Sequence, residues 1–127
     1  MAHLYTLTEA QSLLPEAARR LEAASSTLID LRREVRADEE LGRPGPGERT
    51  HDLERQLEAH LRWFDERAIQ VKGISPGLLD FPARAIRAGE PIDILLCWRD
   101  DEDAIGYYHR PETGYIGREP VAMLDEV

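Results

Sequence analysis

The sequence predicts an α+β fold in which a two-helix antiparallel hairpin packs on a three- to four-stranded antiparallel β-meander. Two observations support this fold class. Apolar side chains recur at helical spacings of three and four over residues 8–70, whereas residues 73–122 follow the two-residue period of strands. A chain of 127 residues is long enough for one hydrophobic core, so we expect a single domain over residues 1–127.

The first helix is predicted to begin near Thr8. Thr8 and Gln11 have the spacing of a capping box, in which a hydroxyl and an amide each bind a free backbone N–H. Pro15 removes one helical hydrogen bond, so we expect a kink or a restart there. Beyond it, an apolar seam repeats every seven residues and has an intermediate line beside it: Leu14, Leu21, Leu28 and Val35, with Ala17, Ala24 and Leu31.

A turn rich in proline and glycine separates the two helices. The stretch GRPGPGE cannot continue a helix, and Gly42 is well placed to end the first one. We expect residues 42–49 to form a flexible tip. The second helix is predicted from about Thr50 or His51 to Gln70, with apolar residues at spacings of three and four: Leu53, Leu57, Leu61, Phe64 and Ala68.

Four short segments after residue 73 have strand composition and are separated by turn residues. If Asp100–Asp103 and the PETG stretch are four-residue loops, Leu96 faces Tyr107 and Tyr107 faces Arg118. Alternation then gives a core face of Ile92, Ile94, Leu96, Trp98, Ile105, Tyr107, His109, Ile116 and Arg118. The predicted strands are GLLDFPA, IDILLCWR, AIGYYHR and YIGREPV.

His109 and Arg118 are the polar exceptions on this predicted core face. A buried guanidinium needs a partner, and Asp80 is the nearest candidate, followed by Glu119. In the plainer interpretation, His109 is a satisfied histidine at the core edge and Arg118 forms a structural ion pair.

The alternative interpretation is a small anion-binding pocket between sheet and hairpin, around Asp80, His109 and Arg118. Arg118 is then a bidentate fork for a carboxylate or phosphate, and His109 is a donor or an acid–base group. Lys72 is a possible second cation, and Trp98 a wall of the pocket.

The sequence contains none of the common motifs for binding a metal ion or a cofactor. No HExxH, CxxC, P-loop or GxGxxG is present, and no histidines have the helical spacing of a metal pair, so we expect neither a metal site nor a cofactor. The acidic run Asp100–Asp103 is interpreted as a solvated turn. Cys97 is interpreted as a small hydrophobic residue with no base near it in sequence.

Composition limits the partners. Sixteen basic against 25 acidic side chains give a net charge of −9, which disfavours nucleic acid and anionic membrane surfaces. One cysteine excludes an internal disulfide, and no stretch has the length of an apolar membrane span. We therefore expect a soluble, cytoplasmic protein.

Five stretches resemble, in this order, the uncharacterised bacterial family known as domain of unknown function 2203. They are TLTEAQSLLP, GISPGLLDFPA, LLCWR, YYHR and GYIGREPV, and they span nearly the whole chain. The recurrent polar positions of the family fall on Lys72, Asp80, His109 and Arg118. Members often have Gly-Glu in the turn after LCWR and tryptophan before the histidine, where this chain has DDED and Tyr108. The resemblance implies a compact domain and positions of interest, but no reaction.

Two functions follow as hypotheses. The first is a non-enzymatic interaction or regulatory protein, dimeric through the heptad helix or through the second sheet face, with a possible further protein partner. The second is a binder of a small anionic ligand, or an enzyme, using Asp80, His109 and Arg118. A metal-binding protein is the third alternative.

Overall fold

The α+β fold class is confirmed, with five strands where three or four were predicted. The computed structural model describes residues 3–127. The strands pair antiparallel in chain order and so form a meander. The elements are α1 (Leu7–Glu40), α2 (Glu48–Asp65), β1 (Gln70–Ile74), β2 (Gly77–Arg87), β3 (Glu90–Arg99), β4 (Tyr107–His109) and β5 (Glu119–Pro120), with short 3-10 helices at Tyr115–Gly117 and Val121–Met123.

The N-terminus of α1 is capped by Thr6, not by Thr8. The Thr6 hydroxyl accepts the Glu9 N–H and the Glu9 carboxylate accepts the Thr6 N–H, both at 3.1 Å. The predicted Thr8–Gln11 box is therefore wrong. Gln11 instead joins the helix to the loop after β3, because its amide exchanges two hydrogen bonds with the backbone of Ile105.

Pro15 lies inside one continuous helix, so the predicted restart is also wrong. The side chain is exposed. The hydrogen bond that proline removes is thus lost on the solvent side of α1, where water can replace it.

The tip between the helices is organised by Asp38. As predicted, Gly42 ends α1: it follows the C-cap Leu41 with φ of +64°, and Arg43 N–H returns to the Asp38 carbonyl at 3.0 Å. The Asp38 carboxylate then accepts the Thr50 hydroxyl at 2.9 Å and the Arg43 guanidinium at 2.7 Å. It thereby places a negative charge at the N-terminus of α2.

α2 ends at Asp65, five residues before the predicted Gln70, and the chain turns into β1. Ala68 takes a φ of +57° in this turn, and Ile69 N–H bonds back to the Phe64 carbonyl. Residues 70–74 pair with β2 along the sheet edge. The sheet therefore begins before the predicted residue 73.

The register of β2 and β3 is fixed by a two-residue turn. Ala88 and Gly89 have φ of 51° and 79°, as in a type I′ turn, and Arg87 pairs with Glu90. Continuing along the ladder, Phe81 pairs with Leu96 and Asp80 with Cys97.

The predicted register of β4 is wrong by one residue. Leu96 pairs with Tyr108, not Tyr107, because residues 100–106 form a longer loop in which Glu102 folds back onto β3. The Glu102 carbonyl accepts the Trp98 indole N–H at 2.8 Å, and its carboxylate accepts the Arg99 N–H at 2.8 Å. Tyr108 therefore enters the core, and His109 points to the opposite face.

The β4–β5 register differs as well, since Tyr107 pairs with Pro120 and not with Arg118. Residues 110–118 form a long connection in place of a four-residue hairpin loop. The predicted core position of Ile116 is wrong, because this side chain is 98% exposed.

The two helices cover one side of the sheet, called here the helix-facing side; the other is the outer side. The predicted core positions on β3, together with Ile105, are confirmed. Within residues 3–127, no helix is both long and apolar enough to cross a bilayer. The helix-facing core consists mainly of Ala10, Leu14, Ala17, Leu21, Trp63, Phe64, Leu79, Phe81, Ile94, Leu96, Trp98, Ile105 and Tyr108.

Candidate functional site

Three adjacent strands bring a carboxylate, a thiol and an imidazole together on the outer side. Asp80 on β2 pairs directly with Cys97 on β3, and His109 on β4 pairs with Leu95, two residues from Cys97. One ligand-type atom from each of the three lies within 4.8 Å of the others. All three residues are 3% exposed or less. We call them the outer cluster.

His109 is hydrogen-bonded at both ring nitrogens. Nδ1 lies 2.9 Å from the Arg110 carbonyl, and Nε2 lies 3.0 Å from Oδ2 of Asp80. A carbonyl oxygen can only accept, so Nδ1 carries a hydrogen. The contact of Nε2 joins the ring to Asp80 on β2, so the imidazole is oriented from both sides.

The thiol of Cys97 is kept protonated by its surroundings. Burial and the neighbouring Asp80 raise its pKa from 9.0 to about 12, although Arg118 opposes the shift. A thiol with such a pKa is a poor nucleophile at neutral pH, because the thiolate is the reactive form. The outer cluster is therefore not an activated cysteine–histidine pair in this state.

Arg118 borders the cluster and is engaged by groups other than the predicted partners. Its Nη2 donates to both carboxylate oxygens of Glu102, at 2.7 and 2.9 Å, and to the Cys97 carbonyl at 3.2 Å. Its guanidinium lies 4.3 Å from the Tyr107 ring centroid. Burial is the largest single effect and lowers the pKa of Arg118, but the hydrogen bonds to Glu102 and the charge interactions with Cys97, Glu102 and Tyr115 together raise it overall.

Two polar atoms at this place lack partners. Within residues 3–127, Oδ1 of Asp80 and Nε of Arg118 are the buried side-chain polar atoms without a hydrogen bond. Both residues interact with the Cys97 thiol. Buried polar atoms without partners are rare in folded proteins and are costly, so the arrangement favours an additional bound group.

The structure gathers only part of the predicted site. Asp80 and His109 are hydrogen-bonded, and Arg118 lies beside them, but on the outer side and not between sheet and hairpin. Trp98 lies on the helix-facing side, so it forms no wall of this site. Lys72 is exposed on β1, where it lines depressions of the outer side.

The partners proposed for Arg118 were wrong. Asp80 binds His109, and Glu119 binds Arg87 at 2.7 Å. The actual partner, Glu102, belongs to the acidic turn that the sequence suggested was merely solvated. Cys97 was also missed, since its neighbours come from other strands. The two-residue turn at Ala88–Gly89 is the feature of the sequence that could have predicted this neighbour, because it fixes the register that pairs Cys97 with Asp80.

The family model for uncharacterized conserved proteins, DUF2203, matches residues 3–121. The chain belongs to this family. No curated protein and no solved structure gives a significant match. The description of the DUF2203 family names no activity, so the outer cluster is the feature of this member that can indicate a function.

Proposed function

We propose that the protein binds a divalent transition-metal ion of the zinc class through Asp80, Cys97 and His109. The observation that carries the proposal is the convergence of three buried ligand types, within 4.8 Å of one another, around an unpaired carboxylate oxygen. Thiolate, imidazole and carboxylate together suit zinc and similar ions, whereas magnesium and calcium prefer oxygen ligands alone.

One binding event would satisfy both unpartnered atoms. The ion offers a partner to Oδ1 of Asp80 and displaces the thiol proton of Cys97. The thiolate so formed can accept a hydrogen bond from Nε of Arg118. The charge of the ion is balanced by the carboxylate and the thiolate, while Glu102 balances Arg118.

His109 already has the second contact that metal-binding histidines use. Its Nδ1–H donates to the Arg110 carbonyl, which orients the ring and leaves Nε2 as the ligand atom. Three protein ligands leave the fourth position of a tetrahedral ion for water or a small ligand. An organic anion held by Arg118 is less well supported, because the charge of the guanidinium is already paired with Glu102 through Nη2.

Titration of metal-free protein with Zn²⁺ tests the proposal. We expect one ion per chain and the release of protons at neutral pH, including the thiol proton of Cys97. Calorimetry in two buffers of different ionisation enthalpy counts these protons. Co²⁺ provides a second readout, since thiolate coordination gives a charge-transfer absorption band.

Variants at the three ligands should separate this site from surface binding. Cys97→Ala should remove the Co²⁺ charge-transfer band, and His109→Ala should abolish stoichiometric binding. His60→Ala, on α2 and away from the cluster, is the matched control. Wild-type protein that takes up no metal, or Cys97→Ala protein that binds as well as wild type, contradicts the proposal.

We further propose that the protein dimerises through the part of the hairpin nearest its tip. The first half of the α1 seam is buried, but Leu28 and Leu31 are only half-buried, and Val35 is 39% exposed. Two helices alone leave both flanks of their seam open, and a second hairpin would complete a four-helix bundle.

Light scattering tests the dimer directly. We expect the mass of two chains for wild type and of one chain for Leu28→Glu. Arg33→Glu, at an exposed position of the same helix, should remain dimeric. A monomeric wild type over the micromolar range overturns this second proposal and leaves the metal site unaffected.

A further inference from the structure

The outer cluster is buried although no helix covers the outer side. The segment that borders it on this side is residues 110–118, which we call the outer segment. Arg118 of this segment lies against the Tyr107 ring, 4.3 Å from its centroid, and donates to the Cys97 carbonyl. At the other end, the Arg110 carbonyl holds His109. Both ends of the outer segment are thus held against the cluster.

Polar contacts, and not core packing, hold the outer segment in place. None of its residues belongs to the hydrophobic core or packs against it, and Ile116 is almost fully exposed. The strongest contact is the ion pair of Arg118 with Glu102, whose side chains are 12% and 14% exposed. The Tyr115 hydroxyl also accepts a hydrogen bond from the Arg99 guanidinium. Segments with few apolar contacts open locally at low free-energy cost.

Two depressions flank the outer segment without reaching the cluster. One of about 550 Å³ is lined by Leu95 and Pro111, and one of about 400 Å³ by Arg99 and Tyr115. Neither is lined by Asp80, Cys97 or His109. Because the three ligand side chains are 3% exposed or less, an ion or a reagent reaches them only after some part of the surrounding structure moves.

We propose that the outer segment is a cover whose opening controls access to the outer cluster, and that the Glu102–Arg118 pair is its latch. The regulatory role rests on the proposed metal site, whereas the cover itself is a property of the metal-free chain. Weakening the latch should populate the open state more, so metal uptake and release should both accelerate while the affinity stays nearly constant.

Glu102→Gln is the sharpest latch variant. Glutamine keeps the oxygen that accepts both the Arg99 N–H and Arg118, but it removes the charge and replaces the second oxygen that accepts from Arg118 with an amide N–H₂. From the strength of hydrogen bonds between charged groups, we expect opening to increase by about tenfold to a hundredfold. Asp103→Asn, at an exposed position of the same loop, is the control that loses equal charge.

Cys97 reports opening without any metal, because it is the single cysteine of the chain. Labelling of metal-free protein with excess of a small disulfide reagent should be about tenfold to a hundredfold faster in Glu102→Gln and unchanged in Asp103→Asn. The proposal that the outer segment controls access to Cys97 is overturned if wild type labels as fast as unfolded protein, or if Glu102→Gln labels at the wild-type rate. Circular dichroism and the unfolding midpoint verify that each variant is folded.

Metal kinetics give the second readout. Release of Zn²⁺ into excess EDTA and uptake after rapid mixing should accelerate by the same factor as labelling, with a Kd within a few-fold of wild type. Accelerated labelling in a protein that binds no metal supports the cover and overturns the metal site alone. Accelerated labelling with unchanged metal kinetics overturns the latch as a control of metal exchange.

Discussion

The two sides of the same sheet are buried by different means. On the helix-facing side, Phe81 and Leu96 are fully buried among apolar side chains contributed by both helices. On the outer side, Asp80 and Cys97 are buried equally well, but next to polar groups: Asp80 binds His109, and Arg118 donates to the Cys97 carbonyl. Apolar burial lowers the free energy of the fold directly, whereas polar burial does so only when every group is satisfied.

This difference explains where unpaired atoms remain. Hydrogen bonds serve the polar atoms that reach the helix-facing core, such as the Trp98 indole and the Tyr108 hydroxyl. The outer side retains Oδ1 of Asp80 and Nε of Arg118. Within residues 3–127, the two buried side-chain polar atoms without a hydrogen bond therefore belong to residues of the outer side.

The largest expected effect tests the helix-facing side. Phe81→Ala removes a fully buried ring that also packs edge-on against Tyr5, 5.4 Å between centroids. We expect the free energy of unfolding to fall by about 3–5 kcal/mol, as for other phenylalanine-to-alanine changes in cores. Urea unfolding measures it. Phe81→Leu, which keeps most of the volume, should lose clearly less; equal losses would mean that this side is not tightly packed.

Much of the helix-facing side could be predicted from the sequence. The periods of three to four and of two distinguish the helices from the strands, and alternation along β3 gives Ile94, Leu96 and Trp98 their correct side. β1 was missed because its residues directly follow the apolar pattern of α2, and Ala68 continues that pattern although it lies in the turn.

The outer side could not be predicted because it depends on loop lengths. The loop at residues 100–106 and the connection at residues 110–118 are held by Glu102 and Arg118, which lie far apart in sequence. A shift of one residue in β4 exchanges Tyr108 for His109 on the core side, and with it the location of the site. His109 was recognisable as a polar exception, and Asp80 as a candidate partner for such a group, but their grouping with Cys97 required the correct register.

A pH titration tests the outer side through Cys97. Its pKa is raised to about 12 in the folded protein, against about 9 for an ordinary thiol, so between these values only the unfolded chain loses the proton. The contribution of the protonated Cys97 thiol to the free energy of unfolding is therefore fully present below pH 9. It is lost as the pH rises toward 12. Metal-free Cys97→Ala should show a shallower loss of unfolding free energy over this range. Parallel curves for both proteins would contradict a buried, protonated thiol.

The smallest effect is expected where the two modes of burial meet, at Tyr108. Its ring is fully buried in the helix-facing core, while its hydroxyl accepts from Arg87 at 2.8 Å and donates to Glu119 at 3.1 Å. Tyr108→Phe keeps the ring and leaves Arg87 paired with Glu119, so only about 1 kcal/mol of unfolding free energy should be lost. Urea unfolding measures the difference.

Asp93→Asn is the control for Tyr108→Phe, because it breaks the exposed Arg84–Asp93 pair on the outer side. Exposed ion pairs contribute little, so this change should alter the unfolding free energy by less than about 0.5 kcal/mol. If Tyr108→Phe has no larger effect than Asp93→Asn, the Tyr108 hydroxyl contributes nothing measurable to the free energy of unfolding. The helix-facing core would then be stabilised by apolar packing alone, and the contrast with the outer side would be sharper still.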